Sequence, residues 1–201
     1  MNRRTNTESK VRLAVIVFGL ALVAIAALGD TIANQLAYYR PQILSGEIWR
    51  LLTPHLVHLN LTHAVMNAAA IILLGMLVGS AASIRCWLVI YAVLAIGISL
   101  MFLALNEDLY RYVGASGVVH GLAAFGALRR MSIARVESSL LLAGLAIKLG
   151  YEQIAVSALS TEALIGGRVI TDAHLYGAII GLLLYGIDLG WRRRKASRQQ
   201  S

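Results

Sequence analysis

The chain has 201 residues, 58% of them hydrophobic, and a mean hydropathy of +0.71. That length fits one domain, residues 1–201, and that apolar content excludes an ordinary soluble protein in favour of a polytopic membrane one. Cys86 is the single cysteine, which excludes an internal disulfide framework and a multi-cysteine metal site, and the net charge of +8 is dispersed among apolar segments as membrane topology requires, not gathered as nucleic-acid binding requires.

In chain order, six segments are apolar enough to span or nearly span a bilayer: 11–29, 63–80, 84–105, 116–128, 138–159 and 172–190. The first follows Arg3 and Arg4, and Ala24-Ile25-Ala26 resembles a leader cleavage site. Its apolar run is long for a leader and five more segments follow, so a retained helix is expected. With residues 1–12 in the cytoplasm, 13 of the basic residues fall on the inner side and only Arg40, Arg50, Arg111 and Arg168 on the outer. Lys148 lies within a helix. The bias puts both termini inside, and the basic 191–201 tail reads as an anchor at the lipid surface. The expected fold is an all-α bundle of six membrane helices.

The second segment opens beside the run His55, His58 and His63, which hints at zinc. No His-Glu-x-x-His motif accompanies it, so neither metal nor cofactor is expected, and His55 and His58 read as loop-structuring hydrogen-bonders. His63 and Asn67 are one turn apart on one face near the outer end.

The fourth segment is short. From Ser116 to Arg129 the helix rises only about 20 Å against a core of about 30 Å. Ser116 is therefore expected roughly 10 Å below the outer surface, at the end of a non-helical re-entrant stretch, 106–115. In the fifth segment Lys148 and Glu152 are one turn apart inside an apolar helix. They read either as a self-compensating pair or with Glu152 turned to the cavity to meet substrate. In the sixth, His174 lies about 21 Å before Asp188, at the depth of Ser116. His174, Gly177 and Gly181 share one stripe, and Gly117 and Gly121 give the fourth helix a matching small face for close approach.

A serine needs a base, and His174 is expected to deprotonate Ser116 for attack on a peptide carbonyl. The Ser116 backbone N–H, His63 and Asn67 are candidate oxyanion donors. Asp172 lies on another face and reads as a helix cap, so the sequence implies a Ser–His dyad without an orienting carboxylate. His120, one turn below Ser116, reads as a support packed under the His174 ring, with a role as alternative base left open.

These residues resemble the rhomboid intramembrane proteases. The resemblance rests on Trp49-Arg50, His63 through Asn67, Gly114 through Gly117, and Ala173 through Gly181. It implies that Ser116 and His174 form the dyad, that His63, Asn67 and Gly114 support the oxyanion, and that the 31–62 loop is a partly submerged element beside the site. Trp49 through Thr53, His55 through Asn60, the Gly114–Gly121 octapeptide with His120, Lys148 through Gln153, and Asp172 through Gly177 look like the rhombosortase branch. Pro54 departs from its pattern. That branch implies substrates ending in Gly-Gly, a transmembrane helix and a basic tail, cut in the bacterial cytoplasmic membrane from the periplasmic side. A general rhomboid protease and a non-proteolytic client-binding relative are the alternatives.

Overall fold

The computed structural model describes residues 3–154 and 159–199. Its elements in order are α1 (Arg3–Ala26), α2 (Asp30–Leu36), β1 (Tyr38–Tyr39), α3 (Arg40–Leu44), α4 (Leu61–Val78), α5 (Ile84–Leu105), β2 (Arg111–Tyr112), α6 (Ser116–Arg130), α7 (Arg135–Ile154), α8 (Leu159–Ile165) and α9 (Thr171–Arg198). Two 3₁₀ turns, Ile48–Leu51 and Thr53–Leu56, lie between α3 and α4, and a third, Gly79–Ala81, follows α4. The chain is an all-α membrane protein, its two-residue strands apart. Among the described residues four stretches are long and apolar enough to cross a bilayer: Glu8–Ala26, Leu61–Ala81, Ile84–Leu105 and Thr171–Arg198.

The other two expected spans are also helical. α6 has 15 residues, and α7 carries the charges of Lys148 and Glu152. The end of the expected fifth segment, residues 155–158, lies outside the described residues, as do 1–2 and 200–201 of the termini. The basic tail continues α9 to Arg198 without a break.

Local chemistry sets the helix starts. Asn60 caps α4 by accepting from the His63 N–H at 2.8 Å, and Ser83 caps α5 by accepting from the Cys86 N–H at 3.3 Å. Pro41 opens α3, where its missing N–H costs nothing. Outward faces of the long helices are apolar, including Leu73, Leu88, Leu100 and Leu183, and only 17% to 39% of each span is buried inside the protein. That inversion of the soluble pattern suits a lipid solvent.

α6 is the central helix, buried on most sides from Gly117 to Ala127. Its closest partner is α9, and the glycines explain how close. A Cβ on Gly117 would stand 2.7 Å from the Ala173 carbonyl oxygen, and one on Gly121 would stand 2.6 Å from that of Gly177. A Cβ on Gly177 or Gly181 would strike the carbonyl of Gly117 or Gly121. Around this pair lie Leu94, Ile98 and Phe102 of α5, with Tyr38 and Tyr112. Phe102 meets the rings of Tyr38, Tyr112 and Tyr176 at 4.9 to 5.8 Å.

The 31–62 loop is ordered by a buried arginine. Arg50 donates from Nη1 to the carbonyls of Ala37 (2.7 Å) and Asn34 (3.0 Å), and from Nε to Glu47 (2.6 Å). Thr53 Oγ1 donates to the Leu36 carbonyl at 2.6 Å. β1 then pairs antiparallel with β2, Tyr38 opposite Tyr112 and Tyr39 opposite Arg111. The first loop is thus stitched to the segment that leads into α6.

Candidate active site

Residues 106–115 return non-helically, apart from β2, to the head of α6. Two contacts fix the final turn. The Gly114 N–H donates to the Pro54 carbonyl at 2.9 Å, and the Tyr112 hydroxyl donates to the Gly114 carbonyl at 2.8 Å. Gly114 has φ +126°, and a Cβ there would sit 2.8 Å from the His63 ring, so both conformation and space require glycine. Pro54 is therefore an anchor of this turn, through its carbonyl oxygen.

Ser116 is the first residue of α6. Its Oγ lies 2.9 Å from His174 Nε2, and both residues line a cavity of about 460 Å³. His63, Asn67, His120, Glu152 and Arg168 also line that cavity. N–H groups in the first turn of a helix have no intrahelical acceptor, which leaves the Ser116 N–H available. Asn67 Nδ2 is buried without a hydrogen-bond partner, a donor facing the same space. His63 Nδ1 accepts from the Leu59 N–H at 3.4 Å, which leaves its proton on Nε2. Ser116, His63 and Asn67 thus line one cavity with donors that are not spent within the fold.

His120 stacks on His174, ring centroids 4.1 Å apart and planes 11° from parallel. Its Nδ1 lies 2.7 Å from the Ser116 backbone carbonyl, to which it donates. His120 thus lies face to face with the His174 ring and is tied to the carbonyl of Ser116, not to its Oγ.

Three expectations are corrected. First, a carboxylate does reach His174: Glu152 Oε2 lies 2.8 Å from Nδ1. Its other oxygen pairs with Lys148, so both oxygens are engaged on a side chain that also lines the cavity. Second, Asp172 does not cap α9. It accepts from Asn106 Nδ2 at 2.6 Å, and Asn106 in turn accepts from the Tyr176 hydroxyl at 2.7 Å. Third, His58 makes no hydrogen bond through either ring nitrogen; it packs edge-on against His63 at 5.0 Å. His55 does structure its loop, through Ser99 Oγ at 3.2 Å, while its carbonyl accepts from the Tyr91 hydroxyl at 2.7 Å.

Among the described residues, His55, His58 and His63 do not come together as a group of metal-ligating atoms. The group that does converge among the described residues is His120, Glu152 and His174, whose ligand atoms lie within 4.8 Å of one another. There His174 Nδ1 faces Glu152 and His120 Nδ1 faces a carbonyl, the arrangement of a hydrogen-bonded relay.

The Rhomboid domain family matches residues 45–191, which include every residue of this site. The chain is also 31% identical over 195 residues to a Bacillus subtilis (strain 168) protein described as "Putative rhomboid protease YdcA", with 90% of this chain and 92% of that protein covered. With the family match spanning well over half of the sequence, the chain belongs to the rhomboid family of intramembrane serine proteases.

Proposed function

We propose that Ser116 and His174 carry out proteolysis of membrane-anchored proteins within the bilayer, and that the substrates end in Gly-Gly, a transmembrane helix and a basic tail. The observation that carries the chemistry is the 2.9 Å contact between Ser116 Oγ and His174 Nε2, set beside unpaired donors in a cavity. In acylation Ser116 Oγ bonds to the scissile carbonyl carbon and its proton passes to His174 Nε2. The C–N bond then breaks and that proton leaves on the amine. Water hydrolyses the ester, giving a proton back through His174 to Ser116 and freeing a carboxylate. The Ser116 N–H, His63 and Asn67 hold the oxyanion.

All six helices cross or enter the membrane in this reading, with both termini cytoplasmic and the cavity open to the periplasmic side. The clustering of basic residues at the end of the bundle away from Ser116 supports it. Glycines at the cut suit the mechanism, because a substrate helix has to unwind before its carbonyl reaches Ser116, and glycine lowers that cost by about 1 kcal/mol per residue.

The test is a single-span reporter ending in Gly-Gly, an apolar helix and arginines, paired with a version whose glycines are leucines. Release of the first at a bond at or beside the glycines, with at least a tenfold loss in the second, supports the substrate reading. Equal release of both assigns the chain to proteolysis of broader specificity.

A further inference from the structure

α7 is the least buried of the helices around the cavity, with Ser138 its one buried residue. Yet near its outer end it carries a carboxylate whose side chain is only 9% exposed and which touches the proposed base. We infer that Glu152 is a positioning residue for His174, completing a relay of Ser116, His174 and Glu152, with Lys148 holding the carboxylate in place. This rests on the Ser116–His174 reading and deepens it.

The geometry fixes the proton on His174. A carboxylate only accepts hydrogen bonds, so Nδ1, 2.8 Å from Glu152 Oε2, carries the N–H. Nε2 is left with its lone pair aimed at Ser116 Oγ, 2.9 Å away, which is the tautomer a general base requires. When Nε2 takes the serine proton, the resulting imidazolium lies beside a negative charge. His120 restrains the same ring by stacking on its face. Edge and face of the imidazole are therefore held by different helices, α7 and α6.

Lys148 answers the cost of this design. An unpaired carboxylate at membrane depth is expensive, and Lys148, one turn away, pairs with the oxygen that His174 does not use. Its side chain is 49% exposed and lines the cavity, so the ammonium keeps access to water while it holds the carboxylate. A pair that served only to neutralise itself would have no need to present its second oxygen to a buried histidine.

The experiment uses the full chain in liposomes. It reads the rate of Ser116 modification by a fluorophosphonate, together with kcat and KM on the helical reporter. Glu152→Gln is expected to slow both labelling and kcat by about 10²- to 10⁴-fold, because an amide no longer enforces the tautomer, with KM changed less than about threefold. Glu152→Asp is expected to recover at least tenfold over Glu152→Gln, and Lys148→Arg to outperform Lys148→Met. Labelling of Glu152→Gln at the wild-type rate would overturn the inference. So would equal loss in the Asp and Gln variants accompanied by a lowered melting temperature, which marks a purely structural carboxylate. Failure of the underlying reading is distinct: wild type would then not be labelled at Ser116 at all.

Discussion

Arg129 and Asp188 meet 2.8 Å apart at the far end of the same two helices that bring Ser116 and His174 together. Thirteen residues separate Ser116 from Arg129, and fourteen separate His174 from Asp188. The helices are parallel and pinned at both ends, so the Arg129–Asp188 pair sets the register of the Ser116–His174 pair. Both side chains of the ion pair are less than a fifth exposed. Arg129→Ala leaves Asp188 with Arg192 as its one remaining partner and is expected to destabilise the fold by about 1–3 kcal/mol, while Arg129→Lys recovers at least half. Melting temperatures in detergent check this, with reporter turnover at the lower temperature retained within about fivefold.

Between those pins the spacing of the helices is set by glycine. Gly177→Ala places a methyl group against the Gly117 carbonyl, a backbone atom that cannot swing aside. The helices separate, and the Ser116–His174 contact lengthens with them. Turnover is expected to fall by at least tenfold and stability by about 1–3 kcal/mol. Gly186→Ala is the control on the same helix, because nothing lies within 4 Å of its added Cβ; it is expected to match wild type in both measurements.

The stacked histidines separate a platform from a base. His120→Phe keeps a flat ring under His174 and is expected to retain turnover within about tenfold. His120→Ala removes the platform and is expected to lose more. If His120 were the base, both variants would be equally inactive, and reporter kinetics on the two decides the matter.

His55 and His58 lie outside the spans, in the loop that anchors Gly114. Burial pushes His55 down to about 4 and His58 to about 3 from an ordinary value of 6.5, His63 adding to the latter. Both stay neutral in the fold while the unfolded chain takes up protons below pH 6.5. Stability is therefore full above 6.5 and falls as the pH drops toward 4, by about 1.4 kcal/mol per pH unit for each histidine. Melting temperatures at pH 7.5, 6 and 5 are expected to decline, and His58→Asn to flatten the decline.

What could be read from the chain alone follows from what repeats along a helix. Rise per residue set Ser116 level with His174, which the structure brings into contact, because each helix carries a charge, Arg129 or Asp188, at a similar distance along it. Small residues at i and i+4 told which faces approach. The contact of Glu152 with His174 was not legible, because it depends on how α7 is rotated against α9, and no periodicity encodes that. Its trace was an acid and a base one turn apart in an apolar helix, a pattern a simple ion pair accounts for equally well. Asp172 misled for a related reason: two residues before His174 it looked like a cap, but Asn106 arrives from the re-entrant segment and takes its oxygen. The ring nitrogens of His58 have no hydrogen-bond partner among the described residues, which composition of the loop could not reveal.

The central claim is that Ser116 is the nucleophile and His174 its base. The most direct measurement is release of the Gly-Gly reporter by wild type, Ser116→Ala and His174→Ala at equal membrane levels. Release by wild type is expected, with a loss of at least a thousandfold in both variants. Release persisting in either variant at more than a tenth of the wild-type rate would contradict it.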